Sequence, residues 1–243
     1  MSTVIHIAAA RGGAGATTCA YFLGRALSEL GERTLIVDGD FDCADGLQVS
    51  GMTGLNVYTL SDAQKGACRV KQAILQHRRH LNLFILPTLG CEDGEFVTQA
   101  VKQSAALFDY VLCDNCAAGA ANRAVIVTEP YPSSIKGADK RAARLKDGGL
   151  KDIGIIANKV NGGLVFDGEI MTPQEIASVL RCNLWGVVPE DLGLPVGRIN
   201  RATVKAFNMA AEVISGRNKK VYAVIRSYAG LGGSIKRKMR YMI

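Results

Sequence analysis

Apolar residues along this chain fall into short, nearly unbroken runs rich in valine and isoleucine, at residues 4–9, 34–38, 81–86, 110–113, 124–128, 153–157 and 184–188. A strand buried on both faces produces such runs, so they predict strands of a mostly parallel sheet. The segments between them carry helical spacing or are rich in alanine. They predict helices over 17–30, ending at Gly31, over 94–107, over 134–147, ending at Gly148, and over 173–181. The last carries its own start signal: Thr172, Pro173 and Glu175 supply an N-cap, a proline at the first helical position and a capping box. Strand alternating with helix makes the expected fold α/β, a doubly wound, mostly parallel sheet with helices on both faces.

Composition agrees with an ordinary globular domain: 243 residues, 48% hydrophobic, 21% charged, 27 glycines. The opening MSTVIHIAAARGG has no basic stretch ahead of an apolar one, and no run approaches the roughly 18 apolar residues of a spanning helix. Seven cysteines scattered among apolar segments read as reduced thiols rather than a disulfide framework, which makes the expected location cytoplasmic. The formal charge of +7 points to anionic partners. Its distribution says more, since basic residues crowd the last quarter and no acidic residue follows Glu212.

In a doubly wound sheet, ligands bind beyond the carboxyl ends of the strands. After the first run comes Ala10, Arg11, Gly12, Gly13, Ala14, Gly15, Ala16, Thr17, Thr18, and then a helix. Such a turn presents backbone N–H groups and a helix N-terminus to phosphate, and a threonine at the helix start can ligate magnesium. Against the P-loop pattern G-x-x-x-x-G-K-[ST], Ala10 replaces the first glycine and Ala16 the lysine. The run at 34–38 ends in Asp38, Gly39 and Asp40, and the run at 110–113 is followed by Asp114. These carboxylates converge on the same sheet edge, where they can hold magnesium through water and orient an attacking water.

Together these motifs resemble the MinD/ParA group of deviant P-loop ATPases. The turn is similar to that group's K-G-G-x-G-K-T-T, with Arg11 at the signature lysine and Ala16 at the P-loop lysine. Val37–Asp40 resembles its first switch and Phe108–Asp114 its Walker B strand. Thr128 to Asp139 resembles its T-x-P-x-x-x-S-x-x-D-A segment, and Asn158 with Pro189, Glu190 and Asp191 its adenine-side loops. The likeness covers about residues 3–215 and is closest to the MinD branch.

The resemblance implies a P-loop NTPase fold that binds ATP and Mg2+, forms a homodimer around the nucleotides and comes apart on hydrolysis. It makes Gly12, Gly13, Ala14, Gly15, Ala16, Thr17, Thr18, Asn158, Pro189 and Asp191 nucleotide contacts. Thr17, Asp38 and Asp114 serve the metal, and Asp40 and Arg11 serve catalysis. An alanine at position 16 cannot neutralise charge on the transferring phosphoryl group, so hydrolysis is expected to be weak. MinC-like and MinE-like regulators and a role in positioning the division site are implied in the same way. A ParA-like partition protein holding DNA, and an interaction module without turnover, are the alternatives.

Cys113 and Cys116 form a C-x-x-C, but no second pair with ligand spacing accompanies it, so neither zinc nor redox chemistry is expected there. His6 reads as a strand residue, His77 and His80 as part of a solvated basic helix. The chain divides into a nucleotide-binding domain, 1–225, and a basic amphipathic helix, 226–243. Leu231, Ile235, Met239 and Met242 form its stripe, with Lys236, Arg237, Lys238 and Arg240 on the other faces. That pattern suits an anionic membrane surface, which makes peripheral association the expectation. Nucleic acid fits less well, because the cations gather on a tail rather than across a face.

Overall fold

The structure, a computed structural model, describes residues 2–39, 49–52, 54, 58–194 and 198–228. Its strands are β1 (Thr3–Ala9), β2 (Thr34–Asp38), β3 (Leu75–Gln76), β4 (Leu83–Pro87), β5 (Tyr110–Asp114), β6 (Arg123–Thr128), β7 (Asp152–Val160) and β8 (Asn183–Pro189). They form one sheet in the order β3-β4-β2-β5-β1-β6-β7-β8, parallel except where β3 runs against β4. From central β1 the chain winds first toward β2 and β4, and from β5 it crosses to β6 on the other side. The loop after β1 therefore sits where the winding reverses, the usual ligand crevice of such sheets.

The helices are α1 (Ala16–Glu29), α2 (Leu60–Gln64), α3 (Val70–Ala73), α4 (Gly94–Ala105), α5 (Pro132–Asp147), α6 (Gly162–Phe166), α7 (Pro173–Leu180) and α8 (Arg201–Ile214). Successive strand residues face opposite sides, and the two sides bury different helices. Ile5, Ile7, Ile36, Leu112 and Val125 pack with Leu23 and Leu27 of α1 and Phe207 of α8. Val4, Leu35, Val37 and Val111 meet Val97 and Val101 of α4. Ala124, Ile126 and Ile155 meet Ile135 of α5 and Ile176 of α7. Each such fully buried aliphatic side chain contributes about 1.5–3 kcal/mol.

At the amino end of β8, Trp185 lies across β7 at Gly154, where an added Cβ would stand 2.1 Å from the indole. Its ring reaches the Arg123 guanidinium on β6, 4.4 Å from the ring centre. Arg123 also pairs with Asp152 at 2.7 Å and donates to Ile214 O at 2.8 Å.

The seven apolar runs all become strands, and the capping box forms: Glu175 N donates to Thr172 Oγ1 at 3.2 Å and Thr172 N to Glu175 Oε2 at 2.8 Å. The expectation and the structure differ at α8 and at His77. Helix α8 is not among the expected helices, although its buried Thr203, Phe207, Ala210 and Ile214 fall at helical spacing. The helix expected to end at Gly148 does so: α5 closes at Asp147 with Gly148 as its C-cap, and Gly149, with φ 86, follows. His77 is not on a solvated helix. It is buried after β3, where its Nδ1 accepts from Arg79 N and His80 N, both at 3.1 Å, while Nε2 meets Tyr21 OH at 3.3 Å. Asp40 and the tail residues Leu231, Ile235, Lys236, Arg237, Lys238, Met239, Arg240 and Met242 lie outside the described residues. Among the described residues, no helix is long and apolar enough to cross a membrane.

Candidate functional site

Strand β1 feeds the glycine turn directly. Ala10 N still donates to Val127 O at 2.9 Å, and Ala14 N turns back to Arg11 O at 3.2 Å. Reversal into α1 needs left-handed backbone at Gly13 (φ 78) and Gly15 (φ 89), which side-chain-bearing residues adopt at a cost. Gly15 is the N-cap of α1, and no side chain caps it and no acidic residue lies in the first turn. The positive end of the helix is thus left for an external anion. The outer face of the turn is open: a Cβ built on Gly12 or Gly13 meets nothing within 4 Å.

Ala16 opens α1 with only 8% exposure and packs into the core beneath it. The cations of the site come from elsewhere. Arg11, half exposed, pairs through Nη2 with Glu129 Oε2 at 2.6 Å. Glu129 follows β6, its side chain 5% exposed, and its N–H donates to Ser134 Oγ at 2.9 Å. Lys159 on β7 holds the other carboxylate oxygen of Glu129 at 3.0 Å and donates to Gly13 O at 2.6 Å. Its neighbour Asn158 donates through Nδ2 to Ala14 O at 2.8 Å. Two consecutive strand residues reach one loop because the β7–β8 register shifts between Ala157 and Val160, and Lys159 takes φ 55. Such irregularities commonly re-aim side chains beside functional sites. Glu129 falls in the stretch from Thr128 to Asp139 that carries the family resemblance, without a role of its own there, and Lys159 was not singled out from the sequence. The signal was slight, a carboxylate and a cation at the ends of apolar runs on the sheet edge that carries the turn.

Of the residues expected to serve the metal, Asp38 and Asp114 lie at the ends of β2 and β5. Asp38 and Asp114 are register partners and both are buried. Thr88 secures this end of β2, donating from N at 3.1 Å and from Oγ1 at 2.6 Å to Asp38 O. Gly39 lets the strand ends close, since a Cβ there would stand 2.2 Å from Asp114 O. Thr17 is half-buried in the first turn of α1. Thr17, Asp38 and Asp114 offer oxygen donors only, the set that suits a hard cation such as Mg2+. Beside them Cys113 and Cys116 are buried, and the Cys116 thiol is pushed well above its usual range by its hydrogen bond with Cys113 and by burial.

From the glycine turn a cleft of about 700 Å³ runs between α1 and the loop after β8, lined by Gly13, Gly15, Thr18, Asn158, Pro189 and Asp191. That volume lies within the range of small-ligand sites. Asp191 accepts from Gly193 N at 3.1 Å, Asn200 N at 3.0 Å and Thr203 Oγ1 at 2.8 Å. Burial works to raise its pKa, but these hydrogen bonds prevail and hold the carboxyl below its usual range. Asp191 thereby ties the cleft wall to the start of α8.

Residues 5–196 match the family model described as the CobQ/CobB/MinD/ParA nucleotide binding domain. The chain is 28% identical to the septum site-determining protein MinD of Bacillus subtilis, over 95% of this chain and 99% of that one. In structure it resembles the MinD of an Aquifex aeolicus MinC:MinD cell division protein complex. The TM-score is 0.83 at 24% identity, covering 91% of this chain and 99% of that one. It also resembles the septum site-determining protein MinD complexed with Mg-ADP from Pyrococcus horikoshii, with TM-score 0.76, 27% identity and coverage of 88% and 96%. With most of its length matched and the glycine turn, paired aspartates and cleft in one place, the chain belongs to the CobQ/CobB/MinD/ParA family of nucleotide-binding domains.

Proposed function

We propose that this protein is a MinD-like ATP-binding protein that uses Mg2+, dimerises around the nucleotide, associates peripherally with anionic membrane and helps to position the division site. The observation that carries the nucleotide reading is the open glycine turn at an uncapped helix start, flanked by Asp38 and Asp114. Magnesium supplies neutralisation of phosphate charge when bound, and Thr17, Asp38 and Asp114 are the residues to hold it, the aspartates through water. Asn158 and Pro189 line the base side of the cleft. The septum-site relatives and the Mg-ADP complex of a similar protein support this reading. A MinC-like partner is proposed from the Aquifex complex, and a MinE-like regulator from the same branch of the family. Asp40 is assigned to orient the attacking water and Arg11 to act across the dimer.

Turnover is slow in this reading, because Ala16 presents a methyl group where the P-loop pattern has an ammonium. Its burial, and the pairing of Arg11 with Glu129, favour as second reading a nucleotide-dependent interaction module that does not turn over. Titration calorimetry with ATP, with and without magnesium, is the first test. Binding that strengthens with magnesium is expected, and no heat at millimolar ATP would refute the nucleotide reading. For the membrane, sedimentation with anionic vesicles should capture the full chain and lose it on truncation after Gly230. Capture unaffected by truncation would refute the tail's role. Raised salt should weaken it.

A further inference from the structure

We propose that Lys159 is the phosphate-binding cation of this site, reaching in from β7 to do the work that Ala16 cannot. Glu129 is the internal anion that holds it, and Arg11 with it, until a phosphate arrives. The inference rests on the nucleotide reading above and deepens it.

The ammonium needs no rearrangement to reach the loop, since Lys159 Nζ already lies 2.6 Å from Gly13 O. It gets there through strained backbone. In a regular strand Asn158 and Lys159 would face opposite sides of the sheet, but the register shift and the φ of 55 at Lys159 turn both toward the glycine turn. A left-handed conformation at a long, non-glycine side chain persists only where its surroundings impose it, and such residues cluster at ligand clamps. Two cations, Arg11 and Lys159, share the single carboxylate of Glu129, so the cluster carries one positive charge in excess. Both side chains are about half exposed, whereas that of Glu129 is 5% exposed. The cations can therefore pivot on the buried carboxylate to meet a ligand without either charge being stranded. Lysine on a flexible stem suits this better than a fixed fork does.

The test measures binding of ATP, ADP, AMP and adenosine to the full chain and to the K159M, K159R and E129Q variants, with thermal melts to confirm folding. K159M should weaken ATP binding about tenfold, ADP and AMP progressively less, and leave adenosine unchanged. K159R should restore most of the loss. E129Q, by releasing the two cations, should tighten ATP binding. An equal loss for adenosine and ATP in K159M would show that Lys159 only shapes the loop, overturning the proposal while the nucleotide reading stands. Should K159M not fold, weaker ATP binding in E129Q, or a K159R variant as impaired for ATP as it is for adenosine, would overturn it. If the unaltered chain binds none of the four ligands, the nucleotide reading falls and this proposal with it.

Discussion

Alanine substitutions at the three glycines of the turn should separate backbone strain, packing and ligand space. Gly12 has no left-handed φ and nothing within 4 Å of a built Cβ, so Gly12→Ala should change stability by less than about 0.5 kcal/mol. Gly13→Ala meets no atom either but must hold φ 78, at a cost of about 1 kcal/mol. Gly15→Ala carries similar strain at φ 89, and its methyl would stand 2.6 Å from Asn158 Nδ2. Asn158, 6% exposed, must then swing away and give up its 2.8 Å bond to Ala14 O. Losing that buried bond adds about 1–3 kcal/mol, for about 2–4 in all. In a chain of this size each kcal/mol moves the melting temperature by about 2–4 °C, so scanning calorimetry should order the three variants clearly. ATP binding should order them differently. Gly12→Ala fills the open face where phosphate is proposed to lie, and should weaken binding with its stability intact. A Gly12→Ala variant as unstable as Gly15→Ala, or one that binds ATP as the unaltered chain does, would refute the geometry.

Ala16→Lys should raise a near-background ATPase rate at least about tenfold, which needs only about 1.4 kcal/mol of transition-state stabilisation. A rate that stays flat while ATP binds would mean that the first-switch stretch, FDCADGL after Asp40, lacks the competent chemistry. Acid sensitivity should come from buried imidazoles. Burial lowers the pKa of His6 below the ordinary 6.5, as it does that of His77, so the unfolded chain takes up these protons first. Their contribution is complete above about pH 6.5 and lost as pH falls from there through the folded values. Denaturant unfolding between pH 7.5 and 5.5 should show that slope, reduced in His6→Asn, and an unchanged slope in the variant would refute the assignment.

What could be read from the chain, and what could not, divides by range of interaction. Strands buried on both faces announce themselves as apolar runs, and the turn after β1 announces itself by glycines that only left-handed backbone requires. Asp38 and Asp114 were legible because each follows such a run directly. The pairing of Lys159 with Glu129 was not, although Glu129 lies in the stretch from Thr128 to Asp139, since it depends on a register shift between β7 and β8 that no local pattern encodes. Asp191 lines the cleft that opens from the glycine turn, but its hydrogen bonds to the start of α8 depend on a residue pairing across the loop. Helix α8 was within reach of the same reasoning, since Thr203, Phe207, Ala210 and Ile214 recur at helical spacing on its buried face.

The stack of Trp185 on Gly154 and Arg123 bears on how motion is distributed in the molecule. It joins β6, β7, β8 and, through Ile214 O, the end of α8, all at the edge of the sheet opposite the cleft. Amide protons there should be among the slowest to exchange with solvent, opening only when the whole domain unfolds, while those of the glycine turn exchange through small local openings. The far ends of the strands act as a fixed base, so the loops that meet a ligand can shift without loosening the sheet that carries them. A substitution on the open face of the turn, such as one at Gly12, therefore leaves that base untouched.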